Sequence, residues 1–169
     1  VVAVSTNNDL YVMDVPEGEP RPITSGNRSN DNNPRYSPDG RYIAYRAQLR
    51  PGFEADRYRL MLYDRKSEKS INLTEDFDYS IGNFDWGPDS DLIYFNTDRH
   101  GRICLGKVST KGGDAELFIK EGFNTNLRVT SNGKHIVFSR QDASHPTELY
   151  RAKSDGRAIT RLTGINDEL

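Results

Sequence analysis

The chain has 169 residues, 34% of them apolar and 10% aromatic, enough to bury a core as one domain or as a piece of a larger one. Its formal net charge is −2, from 23 Lys and Arg against 25 Asp and Glu with the signs interspersed, which excludes the basic face that a nucleic acid or an anionic bilayer requires. The longest apolar runs are four or five residues ("LMLY", "LIYF"), well short of the roughly 20 a membrane-spanning helix needs, and the single cysteine, Cys104, excludes an internal disulfide or a thiolate zinc site.

In chain order, "VVAVSTNNDLYVMD" lacks a basic leader and a long apolar segment, so no signal peptide is expected there. "YVMDVPEGEP" runs a short strand into a polar hairpin, and "PITS" ends the next strand at Thr24. Residues 1–24 thus read as the last two strands of a four-stranded unit. After the polar crossover "SGNRSNDN", residues 33–74 resolve into four strands, at 33–37, 42–47, 59–64 and 70–73. The turn Ser37-Pro38-Asp39-Gly40 closes the first hairpin: Pro presets φ, Ser suits the first position, and Gly tolerates the positive φ that returns the chain to the sheet. The loop "QLRPGFEADR" separates the second and third strands and is about six residues longer than its counterparts. The crossover "EDFDYSIG" leads to residues 83–119, where "DWGPDSDLIYF" repeats the turn. "EGFN" leads to residues 126–163, where "RVTSNGKHIVF" repeats it with Asn-Gly and without the proline. Residues 164–169 read as an exit from the last unit.

Three landmarks keep one rhythm. Gly40, Ser90 and Gly133 fall at the same turn position; Asp14, Asp64, Val108 and Ala152 are spaced by 50, 44 and 44, and Thr24, Thr74, Phe118 and Thr163 by 50, 44 and 45. Periods of this length built from four short strands are a β-propeller signature. The second strands, "YIAY", "LIYF" and "HIVF", are apolar on both sides of the pleat apart from His135, as sheets covered on both faces by neighbouring blades would be. The expected fold is all-β, a partial β-propeller of about three and a half four-stranded antiparallel blades: a half blade at 1–24 and whole blades at 33–74, 83–119 and 126–163. Trp86, Tyr36 and Phe84, on inner strands beside the repeated turn, are expected to pack between blades. A closed ring needs at least four blades, so missing partner sequence or self-association through open blade edges is expected.

Strand parity divides the loops. One face receives the tight turns "SPDG", "GPDS", "TSNG", "KSEK", "KGGD" and "KSDG". The other receives "QLRPGFEADR", "TDRHG", "RQDASHPT" and the crossovers, and is the face free to bind. There the long loop offers Arg50, Phe53, Glu54, Asp56 and Arg57, which either grip a peptide terminus through charge pairing or form a solvated loop whose internal ion pairs contribute little. On the inner strands Arg35, Asp85 and Arg128 hold equivalent places and suggest a salt-bridged channel wall. Catalytic signatures are missing. No glycine is followed two places later by serine, as a nucleophile elbow requires. His100, His135 and His145 belong to different loops and strands without metal-ligand spacing, "DFDYS" and "NRSNDNN" fail the calcium-loop pattern, and no phosphate loop occurs. No catalytic residue, metal or cofactor is expected within the chain.

The units "NNPRYSPDGRYIAYRAQ", "NFDWGPDSDLIYFNT" and "LRVTSNGKHIVFSR", with "RLMLYDRKSEKSINLTE", resemble the propeller repeats of the prolyl oligopeptidase family of serine peptidases. The insertion "RPGFEADRYRLMLYDR" and the closing "RAITRLTGINDEL" are similar to its acylaminoacyl-peptidase and dipeptidyl-peptidase-like branch. The resemblance covers nearly all of the chain, although the "SPDG" repeat is shared with other periplasmic propellers, including the Tol-system translocation protein. It implies the C-terminal part of a non-catalytic propeller that caps an α/β-hydrolase catalytic domain and gates the peptides reaching it. The catalytic Ser, Asp and His would then lie in sequence outside the chain, and an exported or periplasmic setting is implied ahead of a cytoplasmic one. Some members hold the substrate's amino group with paired glutamates; no adjacent Glu-Glu pair occurs here, which leaves Glu54 and Asp56. The alternative is a protein-interaction propeller of the Tol-translocation type with no hydrolase partner. A carbohydrate-active propeller would need two inward carboxylates, for which Asp85 is the one obvious candidate.

Overall fold

A computed structural model describes residues 5–167, in two compact units, Val1–Glu75 and Asp76–Leu169. Among the described residues every regular element is a β-strand, in line with the expected all-β propeller blades.

In the first unit, β1 (Tyr11–Val12) pairs with β2 (Arg21–Pro22) as the half blade. β3 (Asp31–Tyr36), β4 (Tyr42–Ala47), β5 (Arg59–Asp64) and β6 (Lys69–Asn72) form an antiparallel blade in chain order. In the β3–β4 hairpin Ser37 Oγ accepts the Tyr42 N–H at 2.9 Å, Asp39 Oδ1 accepts the Arg41 N–H at 3.0 Å, and Gly40, at φ +70°, donates to the Ser37 carbonyl. The side chains of Ser-Pro-Asp-Gly thus satisfy the turn's own backbone, which is why that string ends one strand and starts another. Ile43, Tyr45, Ala47 and Tyr63 pack with Leu10, and Val12, Ile23 and Met61 close over them. On the opposite side of the pleat Ala44, Leu60 and Leu62 are also buried, so β4 and β5 are covered on both faces.

In the second unit, β7 (Ile81–Trp86), β8 (Leu92–Arg99), β9 (Arg102–Ser109) and β10 (Glu116–Ile119) form one blade. β11 (Phe123–Val129), β12 (His135–Gln141), β13 (Glu148–Lys153) and β14 (Thr160–Arg161) form the next. A single parallel pairing, Phe123 with Ile103, joins the two ladders. Between the blades Tyr94, Leu105 and Ile119 pack on Leu127, Ile136, Phe138 and Ala152. Within the first of them Gly106 makes room for its cross-strand partner: a Cβ there would stand 2.6 Å from Phe95 Cζ. The inner strand of each whole blade carries a register shift at the same place, between Asn32 and Arg35, Ile81 and Phe84, and Thr125 and Arg128, a bulge that re-aims the strand.

The threonine landmark has a physical basis. Thr24, Thr74 and Thr163 each accept, on Oγ1 at 2.9 Å, the N–H of a leucine fourteen residues upstream: Leu10, Leu60 and Leu149 respectively. Each hydroxyl ties the end of a fourth strand to the start of the third. Phe118, at the equivalent place, has no hydroxyl, and β10 instead meets β9 through a register shift between Leu117 and Ile119. Replacing Thr74 by Val leaves the buried Leu60 N–H without its acceptor and is expected to cost about 1–3 kcal/mol, whereas Ser109→Ala, which gives up only the acceptor of the exposed Lys111 N–H, costs less. Urea unfolding of the two variants tests the ranking; equal costs would refute it.

The structure departs from the expected loops at one hairpin. "TDRHG" is a two-residue turn, because the β8–β9 ladder continues to Arg99 opposite Arg102 and is closed by His100 and Gly101, both at positive φ (51° and 70°). Left-handed residues at both centres match the twist of the flanking strands. Trp86 and Phe84 are buried as expected, but Tyr36 is 53% exposed with the Arg65 guanidinium over its ring. It alternates outward from the edge strand of its blade. At the C-terminus, residues 165–167 turn back so that the Asn166 N–H donates to Glu148 at 2.9 Å. The first four residues of the expected half blade and the last two of the expected exit lie outside the described residues.

Candidate functional site

The long loop between β4 and β5 is folded on itself. Asp56, nearly fully buried, accepts the Leu49 N–H at 2.8 Å and the Arg50 N–H at 3.1 Å and pairs with Arg59 at 2.9 Å; Arg50 Nε stands 3.8 Å away. Burial alone would raise the Asp56 carboxyl, but these N–H groups and the Arg59 guanidinium outweigh it and hold the group below the usual carboxylate range. Gln48, also buried, donates from Nε2 to the carbonyls of Glu54 and Asp56 at 2.9 and 2.7 Å. Arg57 donates to the carbonyls of Thr74 and Glu75 at 3.2 and 2.7 Å, and the Gly52 N–H reaches Thr6 Oγ1 at 3.0 Å.

Of the five loop candidates, Asp56 and Arg57 are therefore committed to holding the loop. Arg50, its side chain 69% exposed, lies over the ring of Phe53, itself 47% exposed. These two, with Glu54, are what the loop presents. Beside them opens a polar cleft of about 380 Å³ lined by Thr6, Asn8, Asn30, Gln48, Glu54 and Tyr58. The Arg46 guanidinium, its pKa lowered by burial, stacks 4.6 Å from the centre of the Tyr58 ring. Gln48, Tyr58 and Arg59 were not legible as site residues. The one signal was the Asp56–Arg59 spacing, whose meaning depends on both ends being buried.

The inner-strand candidates are placed as follows. Arg35 is half-buried on β3 of the first unit. In the second, Asp85 on β7 accepts the Val129 N–H at 2.9 Å across the blade seam, and Arg128, exposed on β11, donates to the Leu127 carbonyl at 2.8 Å. Asp85 thus stitches two inner strands. His100 meets the Tyr79 hydroxyl at 3.3 Å, and His145 meets Asp142 at 2.9 Å. Among the described residues no group of three or more His, Cys, Asp or Glu gathers as a metal site.

Blades with this register and turn chemistry define the class: a segment of a β-propeller. Solved structures share the fold. Putative TolB from Agrobacterium tumefaciens matches with a TM-score of 0.70 at 23% identity, over 90% of this chain and 55% of that one. The β-propeller domain of the Trilobed protease from Pyrococcus furiosus gives 0.71 at 18%, over 94% and 44%, and Pyrococcus horikoshii acylaminoacyl peptidase gives 0.72 at 16%, over 94% and 23%. No family model matches the chain. Dipeptidyl-peptidase 5 of Porphyromonas gingivalis is 29% identical over 97% of this chain, and that of Porphyromonas endodontalis 31% identical over 98%. The chain is thus homologous, along almost its whole length, to a segment of dipeptidyl-peptidase 5, in line with the family resemblance of its repeats. It spans 24% of the length of these two relatives.

Proposed function

We propose that the chain is the rim of a serine peptidase: a non-catalytic propeller segment that caps an α/β-hydrolase domain encoded outside it and gates the peptides that reach the catalytic triad. The observation that carries this reading is the likeness to dipeptidyl-peptidase 5 along almost the whole chain. The folded-back loop supports it, because a gate must hold its shape to exclude one substrate and admit another. Arg50, Phe53 and Glu54 are the residues this gate presents; Arg35 in the first unit, and Asp85 and Arg128 in the second, are candidates for a channel wall, each within its own unit.

In the full-length protein, replacing residues 50–57 by a short Gly-Asn turn is expected to leave hydrolysis of a dipeptidyl reporter in place while long peptides are cut faster relative to it. An unchanged ratio between short and long substrates would count against gating. The 169-residue chain alone is expected to hydrolyse neither dipeptidyl nor acyl-amino-acid reporters, and saturable kinetics from it would overturn the non-catalytic assignment. The likeness to putative TolB favours a second reading, a protein-docking propeller with no hydrolase partner. A G-x-S-x-G elbow in the sequence that follows Leu169 would decide for the peptidase.

A further inference from the structure

We propose that a cleft at the blade seam of the second unit is a receptor for a carboxylate. The cleft, about 390 Å³, opens where the β8–β9 turn, the crossover before β11 and the end of β12 converge. Arg140 lines it and is fixed from several sides. Its Nε donates to Asn124 Oδ1 at 2.8 Å, Nη2 lies 3.4 Å from the Glu121 carbonyl, and the guanidinium carbon is 5.3 and 5.4 Å from the ring centres of Phe138 and Tyr150, which stack on each other. Nη1 meets no acceptor among the described residues. A guanidinium held against aromatic faces with donors to spare is a planar fork matched to a carboxylate, and little further side-chain order is lost when it binds one.

Neither carboxylate of the cleft bonds the Arg140 guanidinium, although both add their charge to its surroundings. Glu121 pairs with Arg102 Nε at 3.2 Å. Asp142 accepts the N–H groups of Ser144 and His145 at 2.8 and 3.0 Å and meets the His145 ring at 2.9 Å. Arg102, its side chain 52% exposed and its Nε on Glu121, adds a second guanidinium to the wall. Gly122, at φ +78°, lets the crossover pass close to Arg140, since a Cβ there would stand 3.2 Å from Arg140 Nε. Phe123, 39% exposed, offers an apolar surface beside the charge. The chemistry fits a carboxylate next to an aliphatic side chain, such as a peptide C-terminus or an acidic residue. That the carrier is a peptide rests on the gating reading; recognition of the carboxylate does not.

Titration calorimetry of the 169-residue chain with N-acetyl-leucine, N-acetyl-leucine amide and N-acetyl-glutamate α-amide tests the site directly. At least one acid is expected to bind about tenfold or more tightly than the amide, the discrimination given by a hydrogen bond to a charged group, with the backbone resonances of Gly122 and Phe123 shifting on binding. Preference for N-acetyl-leucine identifies a C-terminus; preference for the glutamate amide identifies an acidic side chain. Arg140→Gln should abolish the discrimination. Because Arg140 also packs in the fold, Arg102→Gln and added salt serve as independent checks, each weakening the acid several-fold. Equal affinity for acid and amide, failure of both acids to bind, or unmoved Gly122 and Phe123 resonances would overturn the proposal. A carboxylate preference that survives while substrate size selection proves independent of the long loop would remove the gate and leave the receptor.

Discussion

Asn124→Ala is expected to destabilise the second unit by about 3–5 kcal/mol, enough to consume much of the stability of an ordinary domain. The side chain is fully buried and works at both ends. Nδ2 donates to the carbonyls of Ile103 at 2.6 Å and Glu121 at 2.8 Å, and Oδ1 accepts Arg140 Nε at 2.8 Å. It therefore fastens the crossover, the preceding blade and the arginine of the proposed receptor together. Alanine leaves two carbonyls and a guanidinium N–H to find new partners in a dry setting, at about 1–3 kcal/mol for each group that fails. Asn124→Asp should fare no better, since a carboxylate oxygen would face two carbonyls. Trp86, the sole tryptophan and buried on β7, reports the transition by fluorescence during urea unfolding. A loss below about 1 kcal/mol would show that the bonds re-form elsewhere.

A pH dependence of unusual sign is expected from the first unit. Asp31 is fully buried and its pKa is pushed up to about 6, first by burial and then by the Asp9 charge, against the opposing hydrogen bonds from Asn27 and Thr24. The parallel bridge between Asn8 and Asn30 sets Asp9, Ser29 and Asp31 on one face, where Asp9 Oδ1, Ser29 Oγ and Asp31 Oδ2 are buried without a protein partner. Tyr45 is the other ionisable group beside Asp31, and burial raises it too, so it carries no charge near neutrality.

A carboxyl whose folded pKa exceeds its unfolded value holds its proton more tightly in the folded state. The stability it contributes is fully present below about pH 4 and is lost as pH rises through about 6, on the order of 3 kcal/mol. Asp56, Asp64, Asp142, Glu148 and Asp155 have lowered values and lose stability only as pH falls below the usual carboxylate range. The chain should therefore be most stable near pH 5. Asp31→Asn keeps the acceptor for Asn27 Nδ2 and is expected to stabilise by about 1–3 kcal/mol at pH 7.5 but hardly at pH 4. A mutational effect that does not vary between those two pH values would refute the linkage.

The blades were legible because their turns are written in local chemistry. Pro, Asp and Gly at fixed places dictate backbone angles wherever they occur, and the threonine landmark recurs because one hydroxyl does one job three times. The hub at the start of each inner strand was not legible. Asp31, Ile81 and Asn124 occupy equivalent positions, all buried, yet one is an acid, one a hydrocarbon and one an amide. What they share is a place at the crossover, and a repeat of place without a repeat of chemistry leaves no trace in residue types. In the sequence Asp56 looks like a charge on offer because the side chains that engage it, Gln48 and Arg59, lie on either side of the insertion. The receptor cleft escaped for a related reason: Arg102 and Arg140 come from different blades and meet only across the seam.

That seam has an evolutionary consequence. Among the described residues its two ladders share one backbone pairing, and polar links across it include side-chain bonds such as Asp85 to Val129 and Asn124 to Ile103. Duplicating or deleting a whole blade at such a junction disturbs no strand register and requires only a few new point contacts. Blade number can therefore drift between lineages by unequal recombination while every surviving hairpin keeps its original partner.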